Sequence, residues 1–138
     1  IKNIADKFGS QCVVVAIDTK FVENEWQVFV HGGRTQTDLK ALEWAKQVES
    51  LGAGEILLTS MNNDGTKQGF AIDITESVSN SINIPVIASG GAGSKKHFSD
   101  LFKTGISAGL AASIFHYGEI GIPDLKTYLS NDNISIRK

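Results

Sequence analysis

Three places in this 138-residue sequence put chemically capable side chains straight after an apolar run. "VVVAID" ends on Asp18, with Lys20 two residues on. "EILLTS" runs into Met-Asn-Asn-Asp-Gly-Thr, so Asp64, Gly65 and Thr66 stand just beyond it. "IPVIAS" is followed by Gly90-Gly91-Ala92-Gly93-Ser94, and a quieter fourth place, "AASIF", offers Ala112 and Ser113. A carboxylate at the end of a hydrophobic strand is poorly solvated, so its surroundings set its pKa and it can act as a general acid or base. Glycines let backbone N–H groups close on an anion, and a helix start beside them adds partial positive charge. Proton transfer and phosphate binding are the chemistry these residue types suit.

Each place also has a plain reading. Asp18 can be a carboxylate held by Lys20 or by a backbone N–H. Asp64-Gly65 is a turn signal, and the glycine run can be an ordinary tight turn. Glu55, at the start of "EILLTS", is either an exposed first residue or a charged group lining the floor of a barrel, and periodicity leaves both open. His31, His97 and His116 are widely spaced and share no ligand pattern, so neither a metal nor a cofactor is expected. Trp26 and Trp44 read as packing residues, and the lysines of "SKKHF" as a solvated helix face.

The elements that must position these groups repeat four times. Ile1, Ile4, Ala5 and Phe8 mark a helix face ending at Gly9, so the chain is expected to begin inside a helix and to be part of a longer protein. "QCVVVAID" is a β-branched run of the kind shown by strands buried on both faces, and "EWQVFV" reads as a short hairpin excursion. A helix is predicted over Asp38–Leu51, capped by Thr37 or Asp38, with Leu42, Ala45 and Val48 inward and Gly52 at its end. "EILLTS" is the second strand, and Ile74, Val78 and Ile82 face inward from the next helix. "IPVIAS" is the third, followed by a helix from about Ser94 with Phe98, Leu101 and Phe102 inward and Gly105 after it. The fourth strand lies within "SAGLAASIF", and a helix starts near Pro123 with Leu125, Tyr128 and Leu129 on its face. Strands and helices alternating with short connections make a parallel α/β architecture, with helices on one side of the sheet or on both. Asp18, Asp64, the glycine run and Ser113 all follow strands, which is the ligand-binding edge of such folds.

With 41% hydrophobic and 20% charged residues, the chain is expected to be one soluble globular unit able to bury a core. A net charge of −2 gives no reason to expect nucleic acid or an anionic membrane as partner. No apolar stretch reaches spanning length, and the first residues do not read as a signal peptide. The single cysteine, Cys12, sits in the first apolar run as a small hydrophobe and cannot form an internal disulfide, which points to a reducing, cytoplasmic compartment.

Taken together, "VVVAIDTK", "HGGRTQTDLKALEWAKQVESLGAGEILLTSMNNDGTKQGF", "PVIASGGAG" and "AASIFHYGE" resemble the cyclase-subunit family of imidazole glycerol phosphate synthase, through nearly the whole chain and in order. "GAGEILLTSM…DGT" is far more specific than a glycine motif. The resemblance implies a TIM-type (β/α)8 barrel, of which residues 1–138 would be one half-barrel unit: the end of helix four, then strands and helices five to eight. It implies a reaction in which ammonia from a glutaminase subunit converts a bis-phosphorylated ribulosyl aminoimidazole carboxamide nucleotide into imidazole glycerol phosphate and aminoimidazole carboxamide ribotide. Asp18 matches one of two catalytic aspartates, and its partner belongs to a strand outside this sequence. Asp64, Gly65 and Thr66 match the loop after strand six, which in the family contacts substrate near its phosphate end and supports the chemistry, so the resemblance makes Asp64 a catalytic residue beside Asp18. Gly90, Gly91 and Gly93, with Ala112 and Ser113, match the phosphate site after strands seven and eight. Lys20 matches the lysine of an A-I-D-x-K element, its role left open, and Glu55 matches the charged ring through which ammonia enters. Two positions depart from the family pattern: many relatives have Arg or Gln at Asn63, and an acidic residue at Ala71.

Three other readings stand beside this one. The sister sugar isomerase of the same pathway shares barrel and phosphate sites but has no ammonia to admit. A non-catalytic phosphate-binding half-barrel would suit a chain with one of two aspartates. A doubly wound nucleotide-binding fold lacks its G-x-G-x-x-G after the first strand. Four barrel strands would leave open edges, so self-association as a dimer is expected unless the first half is supplied.

Overall fold

The alternation of β-branched runs and amphipathic stretches folds into six strands and six α-helices in the computed structural model, which describes residues 1–137. In chain order these are α1 (Lys2–Phe8), β1 (Val14–Val22), β2 (Glu25–Val30), β3 (Thr35–Lys40), α2 (Ala41–Ser50), β4 (Glu55–Ser60), α3 (Ile72–Ser79), β5 (Val86–Ser89), α4 (Lys95–Lys103), β6 (Ala108–Leu110), α5 (Ser113–His116) and α6 (Ile122–Asn131). One sheet runs β3-β2-β1-β4-β5-β6. The β1-β4-β5-β6 ladder is parallel, while β2 and β3 join antiparallel at the β1 edge.

Register sorts the side chains of the parallel strands into two faces. Val15, Ile17 and Thr19 align with Ile56, Leu58 and Ser60, then with Val86 and Ala88, and with Gly109. Against this face pack the inward residues of α2 (Ala41, Ala45, Val48), α3 (Ile74, Val78), α4 (Phe98, Leu101) and α6 (Leu125, Leu129), in two buried clusters. At Gly109 an added Cβ would lie 2.9 Å from Leu101, so the absent side chain lets α4 settle on the sheet. All the long helices therefore cover one face, as in a barrel wall.

The other face carries three rows: Val14 with Glu55; Ala16, Leu57, Ile87 and Ala108; and Asp18, Thr59, Ser89 and Leu110. None of these residues is buried, and Val14 and Leu110 are exposed at 53% and 42%. The expectation that the first strand is buried on both faces is thus corrected: only its helix-facing side is covered.

Three boundaries also differ from the sequence reading. Gln11 and Cys12 belong to a 3-10 turn over Ser10–Cys12, so Cys12 is exposed rather than part of the apolar strand. β1 continues four residues past Asp18 because β2 pairs with Asp18–Val22. α2 starts at Ala41, since Thr37 and Asp38 lie in β3, where the Thr37 hydroxyl donates to the Val28 carbonyl instead of capping a helix. By contrast, Ser94 caps α4 with its hydroxyl, Gly105 follows α4 at φ +86°, and Pro123 sits in the first turn of α6. Tyr128 is more exposed than its helix face predicted. No helix among the described residues is long and apolar enough to cross a membrane.

Candidate functional site

The chain leaves β4 at Ser60 and builds the loop 61–69 almost entirely from its own polar groups. The Met61 amide donates to the Thr19 carbonyl on β1 (2.9 Å), and the Asp64 amide to the Ser60 carbonyl (2.9 Å). Ser60, 2% exposed, donates its hydroxyl to Asn63 Oδ1 (2.8 Å), and Asn63 Nδ2 donates to the Gly69 carbonyl (2.9 Å). Thr66 donates to the Asn63 carbonyl (2.6 Å). Asn63 therefore staples both ends of the loop, and its short amide replaces the longer side chain expected from the resemblance.

This loop lies against the glycine run. The Gly69 amide donates to the Gly91 carbonyl (2.7 Å). A Cβ on Gly91 would fall 2.0 Å from the Gly69 carbonyl oxygen, one on Gly90 2.6 Å from the Ser60 oxygen, and one on Gly93 2.4 Å from the Lys67 oxygen. Gly90 and Gly91 also hold φ of +91° and +95°, a region that L side chains rarely enter. The glycines serve backbone-to-backbone packing as well as any ligand.

Between the loop and the ends of β5 and β6 opens a pocket of about 260 Å³, lined by Asp64, Gly65, Lys67, Ser89–Ala92 and Leu110–Ser113. Of the sequence candidates it brings together Asp64, Gly65, Gly90, Gly91, Ala112 and Ser113. Thr66 and Gly93 lie outside its lining: Thr66 is committed to the loop backbone, and the Gly93 amide donates to His97 Nδ1 (3.1 Å) at the α4 start. The "SKKHF" lysines are tied down by acids, Lys95 to Asp124 and Lys96 to Asp100.

Asp18 is not a wall of this pocket but occupies the same row as Ser89 and Leu110 on the open face. Two inter-strand steps separate it from Ser89, roughly 10 Å. Lys20 does not hold Asp18: its ammonium donates to the Gly33 carbonyl (2.6 Å) and lies 4.8 Å from the Phe29 ring centroid. Glu55 stands on the same open face as Asp18, four residues below Thr59 and thus roughly 13 Å from the upper row. Its charge borders the open face rather than the helix layer.

Two side chains of the 61–69 loop escaped the sequence reading in their contacts. Lys67 lines the pocket and pairs with Glu119, its Nζ 2.6 and 2.8 Å from the two carboxylate oxygens. Its φ is +58°, and nothing in "DGTK" announces a left-handed lysine. The buried part of Asn63's role shows only once Gly69 is placed beside it. Among the described residues no group of three or more His, Cys, Asp or Glu is gathered as a metal would require. A larger cavity of about 820 Å³, between α4, α6 and residues 133–137, has a largely apolar wall and none of the candidate residues.

A parallel β1-β4-β5-β6 ladder with its long helices on one face is the wall of a (β/α)8 barrel segment, and its polar pocket lies at the C-terminal strand ends. A sequence profile of the family described as "Histidine biosynthesis protein" matches residues 1–121, and the chain belongs to that family. It is 62% identical over 135 residues to the imidazole glycerol phosphate synthase subunit HisF of Hydrogenobaculum sp. (strain Y04AAS1), covering 96% of this chain and 54% of that one. The subunit of the same name from Campylobacter concisus is 58% identical (99% and 54% covered), and that from Pyrococcus furiosus 57% identical (99% and 55%). The chain spans about half the length of the curated relatives it matches.

Proposed function

We propose that this chain is the C-terminal half-barrel of a cyclase subunit of imidazole glycerol phosphate synthase, residues 1–138 forming one unit. Its substrate is the bis-phosphorylated ribulosyl aminoimidazole carboxamide nucleotide, and its ammonia comes from a glutaminase subunit. The observation that carries the reading is the placement of Asp64 and the Gly90–Gly91 turn on one pocket, with Asp18 in the adjoining row of the same open face.

In this reading the pocket takes one phosphate of the substrate, using Gly65, Gly90, Gly91, Ala112 and Ser113. Thr66 and Gly93 shape its walls from behind. Asp64 accepts hydrogen bonds from substrate hydroxyls beside that phosphate. Asp18 acts on the reacting carbon end as one member of an acid–base pair, and Lys20 fixes the neighbouring β2–β3 turn through Gly33. Glu55 borders the path by which ammonia reaches the upper row, passing the small Ala16 and Ala108 and the aliphatic Leu57 and Ile87 of the middle row. The second aspartate and the second phosphate site come from another half-barrel. The unpaired Val14–Ile17 edge of β1 and the outer edge of β6 receive that half or, without it, a second copy of this chain. A reducing cytoplasm is the compartment that suits its free thiol.

The test is ammonia-dependent turnover of the bis-phosphorylated nucleotide by the chain alone and with a matching first half added. Turnover only in the mixture is expected. Turnover by the chain alone would transfer the acid–base role to paired copies, and a light-scattering mass of a monomer at micromolar concentration would remove the self-pairing. Phosphate binding without turnover in either sample would reduce the function to a phosphate-binding module.

A further inference from the structure

The polar wall of the pocket poses an electrostatic difficulty for any phosphate. Asp64 contributes a negative charge, and the one cation among the lining residues, Lys67, is engaged by Glu119, which does not line the pocket. With that ion pair intact, the wall presents a net negative side chain to a dianion.

We infer that Lys67 is a phosphate ligand held in reserve by Glu119, and that an incoming phosphate group takes the ammonium from the carboxylate. The inference rests on the reading of this pocket as a phosphate site and names the side chain that gives it charge. Three observations support it. The Lys67 backbone is fixed on the pocket wall, because its carbonyl sits where any side chain on Gly93 would collide and its φ is +58°. A non-glycine residue in that conformation is strained unless its surroundings hold it. The side chain therefore springs from a rigid base, and only its own torsions choose between Glu119 and the pocket. Lys67 and Glu119 side chains are also 44% and 39% exposed, so giving up the pair costs little. The contact to phosphate is charge-assisted like the one it replaces, and a phosphate dianion carries twice the charge of the carboxylate.

The exchange makes opposite predictions for the two partners. Inorganic phosphate titrated into the chain and followed by ³¹P NMR reads the affinity directly. Lys67→Met is expected to weaken binding about tenfold or more, and Lys67→Arg to stay within about threefold of the unaltered chain. Glu119→Gln is expected to tighten binding about two- to fivefold, the worth of an exposed ion pair no longer competing. The double variant should match Lys67→Met alone, since without the ammonium there is nothing for Glu119 to withhold. Circular dichroism melts of each variant separate folding from binding. Phosphate affinity unchanged in Lys67→Met overturns the inference, as does weaker binding in Glu119→Gln. So does tightening by the Glu119 change that persists when Lys67 is absent, which would reveal mere removal of a nearby charge. No binding of phosphate to the unaltered chain would instead overturn the phosphate reading of the pocket, and this inference with it.

Discussion

Substituting Gly91→Ala tests whether the glycine run holds the 61–69 loop in place. Two independent costs meet at this position. The φ of +95° is one an alanine avoids, at roughly 1–3 kcal/mol. The new Cβ would also lie 2.0 Å from the Gly69 oxygen and 2.9 Å from Asn63 Cβ, so the loop must move. Moving it lengthens the 2.7 Å Gly69–Gly91 hydrogen bond and the 2.9 Å bond from Asn63 to Gly69, each worth about 1 kcal/mol net. Together these predict a loss of about 3–5 kcal/mol. At about 2.1 cal/mol/K per residue of unfolding entropy, that lowers the Tm of a chain this size by about 10–17 °C. Gly118→Ala is the control, because Gly118 has φ +68° with nothing within 4 Å of an added Cβ. It should show only the dihedral cost, about 1–2 kcal/mol. Urea and thermal unfolding of both variants give the comparison. Equal losses would refute the close approach as a structural constraint and leave the glycines of the pocket to conformation alone.

Two further outcomes follow from the packing and the charges. Phe70, buried at the end of the loop and edge-on to Phe98 at 5.3 Å, should cost about 3–5 kcal/mol on truncation to alanine; an equilibrium loss below about 1 kcal/mol would show that the loop is not anchored there. Asp132 is held below its ordinary carboxylate value first by the Lys103 ammonium and then by the Ser99 hydroxyl. A depressed folded-state pKa stabilises above the ordinary carboxylate range and is lost as pH falls through the lower folded value. Asp132→Asn should therefore flatten the acid limb of a Tm-against-pH curve, and parallel limbs would refute the tether between α4 and the end of α6.

The parallel α/β order was legible because each strand is a short apolar run and each long helix shows a 3.6-residue stripe that leads into a glycine or polar turn. Phe98 and Leu101, spaced for one helix face, meet the sheet as the pattern demands. The β2–β3 extension was only half legible. Thr35–Lys40 is polar apart from the exposed Leu39, so it carries no period-2 signal, and its strand state comes from pairing with β2 rather than from its own residues. The face of β1 was misread for a related reason: Val13–Ile17 is apolar at every position, and such a run does not say whether one or both sides are covered. At the site, the strand ends and glycines were visible, but not which polar groups remain available. That depends on partners distant in sequence, such as Gly33 for Lys20 and Glu119 for Lys67.

Those partners divide the polar groups around the pocket into two kinds. Ser60, Asn63 and Thr66 spend their hydrogen bonds on the chain itself: Ser60 orients the Asn63 amide, and the Asn63 and Thr66 bonds each replace one that water would otherwise make with a loop backbone carbonyl. Asp64 differs. Its amide is bound to the Ser60 carbonyl, which fixes its position, while its exposed carboxylate makes no hydrogen bond or ion pair among the described residues. A turn needing only an Asx side chain would use that carboxylate on its own backbone. Here Asn63 already does that work, so the Asp64 carboxylate makes no bond that holds the loop and leaves a negative charge beside the glycine turn. In the proposed reading, the ligand is the group that balances that cost. The hydroxyls and phosphate of a sugar phosphate would supply both halves of that balance, the hydroxyls to Asp64 and the phosphate to the glycine backbone.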